Sequence, residues 1–211
     1  PKTVFSSIDK FGRYSFSNQP PITKWNLSRF AEWLIPLIDN NEDKAIQLAT
    51  ESIDNFQNIY EEKWLNMMRD KLGLFGKTKD DKKLIDDLLT WMEKNKADYT
   101  NTFCYLMNIS IGNSSLYDDK EFINWSNNWK NRIFINNNSK DKSLELMKKT
   151  NPIIIPRNHK VEEALKAANE NDLEVMNRLL SNLDNPYSEQ KDIEDYQLPS
   201  NNEGYQTFCG T

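Results

Sequence analysis

Residues 43–73 read DKAIQLATESIDNFQNIYEEKWLNMMRDKLG, and the spacing of their apolar side chains indicates the class of fold. Those side chains recur mostly at intervals of three and four residues, which places them on one face of an α-helix. They are Ala45, Ala49, Ile53, Phe56, Tyr60, Trp64, Met67, Met68 and Leu72. Glycine readily adopts the left-handed conformation that ends many helices. We therefore predict one long amphipathic helix from Asp43 to Leu72, capped by Gly73.

The same helical spacing recurs on both sides of this segment. Upstream, a helix is expected to begin at Asn26 as its N-cap and to end or kink at Pro36. Downstream, Asp118 and Glu121 form a capping-box pattern before another helix. The further predicted helices cover residues 84–92, 99–107, 118–133, 142–149, 159–169 and 172–183. No pair of alternating apolar segments frames a hairpin turn, so the predicted fold class is all-α, a helical bundle.

Breaks in this pattern suggest three segments. Residues 1–23 lack helical spacing and are expected to form an ordered loop or short extended segment. Residues 24–183 form the predicted helical domain. Residues 184–211, with breaks beginning at Pro186 and continuing past Pro199, form a carboxyl-terminal tail.

Composition and charge exclude several classes of function. The chain has 211 residues and a formal net charge of −5, with Lys and Glu interspersed, so no basic footprint for nucleic acid is present. No apolar run approaches the roughly 18–20 residues that span a bilayer, and no signal peptide or initiator Met is present. With only Cys104, Cys209 and His159 as soft ligands, a zinc site is not expected. These features favour a cytoplasmic piece of a longer protein that binds neither membrane nor nucleic acid.

Catalytic signatures are missing from the sequence. The six glycines form neither a G-x-G-x-x-G nor a Walker loop, and there is no kinase H-R-D or D-F-G motif. We expect a structural role for His159, a buried apolar site for Cys104, and solvated helix faces for Asp86, Asp87 and Asp98. The six tryptophans mostly lie on apolar stripes and are therefore expected in the core.

Five blocks, however, resemble a known family. They are GRYSFSNQPPITKWNLSRFAEWLIPLID (12–39), DYTNTF (98–103), NPIIIPRNHKVEEALKAA (151–168), LLSNLDNPYSEQ (179–190) and TFCGT (207–211). In this order they resemble the carboxyl-terminal half of the selenoprotein O family, which are protein-kinase-like adenylyltransferases. Each block alone is a weak signal, but together they span nearly the whole chain.

The resemblance implies a pseudokinase that binds ATP with Mg or Mn and transfers AMP to Ser, Thr or Tyr hydroxyls of proteins. The family's nucleotide-binding and metal-binding residues would lie upstream, in a kinase-like amino-terminal half that would be this chain's partner. No cofactor is expected in residues 1–211 alone, which would be the kinase-like C-lobe and the carboxyl-terminal extension. Asp9, Gly12 and Arg13 match the family's D-x-x-G-R-Y pattern, and Arg157 and Asn158 lie in the PRN block. The rival reading is a non-enzymatic helical module that docks a partner.

The resemblance also bears on Cys209, two residues from the end of the sequence. In the family that this sequence resembles, eukaryotic members carry selenocysteine at this position, and some bacterial members pair the terminal cysteine with one in the activation segment. Here the stretch VFSSIDKFGRY (4–14) contains no cysteine. Cys209 is a candidate redox residue that is free, pairs with a cysteine of the upstream half, or is a vestige.

Overall fold

The computed structural model describes residues 2–4, 6, 8–111, 114–135 and 139–200. Every regular element in these ranges is a helix, which confirms the all-α prediction. The helices are α1 (Gln19–Ile38), α2 (Glu42–Asp54), α3 (Phe56–Lys71), α4 (Asp81–Lys94), α5 (Tyr99–Leu106), α6 (Lys120–Ile133), α7 (Lys140–Thr150), α8 (Asn158–Asn169), α9 (Glu174–Leu183) and α10 (Glu194–Gln197). The described residues fall into two compact units, with the boundary inside α3: unit 1 runs up to Leu65, and unit 2 begins at Asn66.

In unit 1, α1 begins seven residues before the predicted N-cap at Asn26. Pro20 and Pro21 look like helix breakers in the sequence, but they stand in the first turn, where backbone N–H groups have no helical acceptor. Pro36 does not end the helix, which continues to Ile38. The loop predicted over residues 1–23 is therefore shorter than expected.

The predicted long helix from Asp43 to Leu72 is divided at Asn55 into α2 and α3. Its predicted end is confirmed: Gly73 has a φ of +66°. Its N–H donates to the carbonyl of Asp70, and the N–H of Leu74 donates to that of Arg69. A Cβ at Gly73 would lie 2.7 Å from the backbone oxygen of Ser143, so the close approach of α7 also requires glycine here.

The core of unit 2 is built from aromatic rings of α4 and α6. Trp91 lies 4.6 Å from Phe122 between ring centroids, and Trp125 stacks on Trp129 at 5.9 Å. The indole N–H groups donate to Asp119, to the carbonyl of Leu84 and to that of Leu72 respectively. Three tryptophans are thus in the core as predicted.

Two further predictions were wrong. Trp25 and Trp33 in unit 1 are exposed, not in a core. The N-cap of α6 is Asp119, whose carboxylate accepts the N–H of Phe122, because Asp118 is already the last residue of a short 3₁₀ turn.

The described part of the tail packs on the core of unit 2. The carbonyl of Pro186 accepts the N–H of Ile153 at 2.7 Å, and Ile193 and Gln197 are buried. The domain boundaries at 23/24 and 183/184 stay predictions. No helix in the described ranges is both long and apolar enough to cross a membrane.

Candidate functional site

The D-x-x-G-R-Y motif folds into a tight loop at the start of unit 1. The two carboxylate oxygens of Asp9 accept the backbone N–H groups of Arg13 and Tyr14, each at 2.8 Å. Gly12, with a φ of +66°, provides the left-handed residue that allows this turn. The structure thus brings Asp9, Gly12 and Arg13 together, and Asp9 organises the loop through backbone amides.

The side chain of Arg13 packs on two aromatic rings, that of Tyr14 in the loop and that of Trp25 in α1. Its guanidinium lies 4.6 Å from the ring centroid of Trp25 and 5.7 Å from that of Tyr14. Such cation–π contacts hold a cation in place without neutralising it. The loop therefore presents a positive charge on an exposed aromatic surface.

Arg157 and Asn158 lie in unit 2, at the start of α8. Arg157 donates from Nη1 and Nη2 to the carboxylate of Asp98 at 2.8 and 3.0 Å, and from Nη2 to Asn101 at 3.2 Å. Asp98 also caps α5 by accepting the N–H of Asn101. The expectation of a solvated helix face for Asp98 was therefore wrong. This bidentate pair joins the first turns of α5 and α8, and Asn158, which is exposed, begins α8 beside it.

A buried ionic cluster, missed by the sequence analysis, centres on Asp81. Its fully buried carboxylate accepts the Nε–H groups of Arg69 and Arg132, both at 2.6 Å, and the hydroxyl of Thr78 at 2.6 Å. Burial opposes ionisation, but hydrogen bonds from Arg132, Thr78 and Arg69 outweigh it and hold the pKa of Asp81 well below its usual range. The cluster ties the end of α3 to α4 and α6.

Cys104 is a buried free thiol, as predicted. Burial raises its pKa to about 11, which leaves it an unreactive thiol near neutral pH. The ammonium of the buried Lys71 lies 4.6 Å from the ring centroid of Phe103 and 5.4 Å from that of Tyr99. Burial lowers the pKa of Lys71 and raises that of Tyr99 to about 12.

The remaining candidates add little to a site. His159 lies half-buried in the first turn of α8, where burial and the nearby Lys160 and Arg157 lower its pKa. Cys209 lies outside the described residues. Within the described ranges, no three His, Cys, Asp or Glu side chains are close enough to hold a metal ion together.

The carboxylates of Asp9 and Asp81 do not fit the role of ligands for a Mg ion that accompanies ATP. Both oxygens of Asp9 are engaged by backbone amides, and both oxygens of Asp81 are engaged by arginines. The N–H groups of Arg13 and Tyr14 donate to the Asp9 carboxylate and are therefore not directed at a phosphate group.

Comparison with known proteins identifies the family. The sequence model described as "Protein adenylyltransferase SelO" matches residues 1–184. The chain belongs to the SelO family. The match covers the Asp9 loop, helices α1 and α2 and the Arg157 pair, so these features lie within the SelO-family region.

Curated SelO-family relatives match over the whole chain. A protein nucleotidyltransferase YdiU from Pelagibacter ubique is 58% identical over 213 residues, and one from Clostridium beijerinckii is 48% identical over 212. A third, from Alkaliphilus metalliredigens, is 47% identical over 214 residues. The chain spans 43–44% of the length of these relatives. More than half of each relative therefore has no counterpart in residues 1–211.

Proposed function

We propose that this chain is the helical part of a cytoplasmic SelO-family enzyme that transfers AMP from ATP to Ser, Thr or Tyr hydroxyls of proteins. The observation that carries the proposal is the family match over residues 1–184, supported by relatives named protein nucleotidyltransferase along the full chain. In the parent protein, ATP and Mg or Mn would be held by the part that precedes residues 1–211.

The chemistry of AMP transfer determines which groups a nucleotide site must supply. In AMP transfer, a hydroxyl oxygen of the protein substrate attacks the α-phosphorus of ATP. The bond from that phosphorus to the bridging oxygen breaks, pyrophosphate leaves, and the hydroxyl proton passes to a base. Such transfers depend on positioned positive charge at the phosphates. Because Asp9 and Asp81 are both engaged internally, we infer that residues 1–211 alone are inactive.

Within the parent, we assign Asp9, Gly12 and Arg13 to shaping the chain that enters α1. The two amide bonds to Asp9 fix the loop, and the loop aims Arg13 at Trp25. Arg157 and Asn158 would have a structural role, because the guanidinium of Arg157 is committed to Asp98 and Asn101.

The test uses ATP labelled at either the α- or the γ-phosphate. We expect the full-length parent to transfer the α-label, and not the γ-label, to a test protein, and residues 1–211 to transfer neither. Transfer of the γ-label would show a phosphoryl-transferring kinase instead. Transfer by residues 1–211 alone would show that a nucleotide site has been missed.

The second candidate function is a helical interaction module. The exposed apolar side chains of α1 favour it, since such surfaces commonly bind partners. A full-length parent that transfers neither label in the presence of Mg or Mn would support this module over the enzyme.

A further inference from the structure

Helix α1 carries apolar side chains on two opposite faces. One face lines a groove shared with Ala49 and Ile53 of α2, and it presents Ala31 and Ile35 together with the charged Lys24, Arg29 and Glu32. Successive residues of an α-helix are rotated by about 100° around its axis. Leu27, Phe30, Leu34 and Leu37, which are three or four residues apart, therefore lie on the far side of the helix from the groove. That second face is not directed at α2.

The second face forms a continuous stripe that we call the outer stripe of α1. It consists of Leu27, Phe30, Trp33, Leu34 and Leu37. Trp33 is 83% exposed, Leu37 is 82% exposed and Phe30 is 59% exposed. The stripe contains no charged residue. Thr23 and Asn26, which extend the same face towards the start of α1, are uncharged as well. A surface helix normally carries charge on the face that meets water, so an exposed stripe without charge indicates a surface that is covered by other protein.

Unit 1 does not have a core that explains its helices. Among its described residues, the buried apolar side chains are Ile22 and Ala45. A unit of this size needs to bury most of its apolar surface to be stable. The outer stripe is therefore expected to be covered in the intact protein.

We propose that the outer stripe of α1 is the surface on which the preceding part of the parent chain packs. This inference rests on the proposal that the chain is the carboxyl-terminal part of a longer SelO protein. The chain spans only 43–44% of its relatives, so more than half of the parent is available to cover the stripe. The uncharged, aromatic character of the stripe fits a permanent interface with a folded domain, because such interfaces resemble a protein core cut in half.

Thiol labelling at single positions tests this packing. Leu37→Cys is placed in the full-length parent and in residues 1–211, and maleimide modification of position 37 is followed by peptide mass spectrometry. In the full-length parent we expect labelling at least about tenfold slower than in residues 1–211, because a covered side chain reacts only when the interface opens. The matched control is Leu180→Cys on α9, where Leu180 is 55% exposed, and it should react at similar rates in both proteins.

Equal labelling of position 37 in the two proteins would overturn the proposal. A second copy is the occupant if the full-length parent forms a dimer by sedimentation, Leu37→Lys abolishes it, and Leu180→Lys does not. That result also contradicts the proposal. Slow labelling in a parent that transfers no AMP would retain the interface and reject only the proposed function. If Leu37→Cys prevents the parent from folding, Thr23→Cys on the same face of α1 is used instead, and its labelling rates in the parent and in residues 1–211 are compared.

Discussion

The two units of this chain differ in the burial of their tryptophans. In unit 2, Trp91, Trp125 and Trp129 are buried and each indole N–H has an acceptor. In unit 1, Trp25 is 48% exposed and Trp33 is 83% exposed. Both units are amphipathic and helical, so the difference lies in what each has available to bury against. Unit 2 contains its own core, whereas unit 1 exposes apolar faces, which we propose are covered by the preceding part of the parent chain.

The buried cluster around Asp81 gives the strongest test of the claim that unit 2 is self-contained. Asp81→Asn leaves the guanidiniums of Arg69 and Arg132 without their buried counter-charge, which should cost about 3–5 kcal/mol of unfolding free energy. Urea unfolding of residues 1–211, followed by near-ultraviolet circular dichroism, measures it. Asp87→Asn, in an exposed pair with Lys83, should cost about 0.5 kcal/mol or less. Equal effects of the two substitutions would mean that the cluster does not hold unit 2 together.

The pH dependence of stability provides an independent check on the same cluster. The folded-state pKa of Asp81 lies below its ordinary value of 3.8, so its contribution is present above that value and is lost as pH falls below it. The wild-type chain should therefore lose stability more steeply below this pH than Asp81→Asn does. Parallel curves for the two proteins would contradict the assignment.

Gly12 and Gly73 have the same φ of +66°, so replacing each with alanine compares how tightly the two units pack around a glycine. Gly73→Ala in unit 2 adds a Cβ at 2.7 Å from a backbone oxygen, so backbone strain and crowding together should cost about 2–3 kcal/mol. Gly12→Ala in unit 1 meets no atom closer than 3.6 Å and should cost about 1 kcal/mol from strain alone. Thermal unfolding of both variants measures the difference. A larger cost at Gly12 would reverse the comparison.

Arg157→Lys should have a smaller effect on unit 2. Lysine cannot reproduce the two parallel hydrogen bonds to Asp98, and we expect a loss of about 1–2 kcal/mol in urea unfolding. Arg178→Lys, at an exposed position of α9, should be neutral by the same measurement. If Arg157→Lys instead leaves the stability unchanged but slows AMP transfer by the parent, Arg157 acts on substrate or nucleotide.

Structural features that depend on neighbouring residues could be predicted from the sequence, whereas contacts between residues far apart in the chain could not. The spacing of apolar residues predicted the helices of unit 2, and the Gly73 cap was predictable because a Schellman end depends on a few neighbouring residues. The start of α1 was missed because Pro20 can open a helix as well as break one. The role of Asp98 could not be predicted, since its partner Arg157 lies 59 residues away. The cluster around Asp81 spans 51 residues to Arg132 and carries no local motif.

The same limit applies to the candidate site. The family pattern identified Asp9, Gly12 and Arg13, and their loop geometry is local enough to follow from a glycine turn. The exposure of Trp33 and Leu37 could not be predicted from periodicity, because an apolar stripe that faces a core and one that is exposed have the same spacing.

Hydrogen exchange of backbone amides in residues 1–211 and in the full-length parent tests the central claim most directly. In residues 1–211, amides of α4, α5 and α6 should exchange far more slowly than those of α1, because only unit 2 has a complete core. In the full-length parent, the amides of α1 should become as protected as those of α4, while α4 changes little. Strong protection of α1 in residues 1–211 alone, unchanged in the parent, would contradict the account.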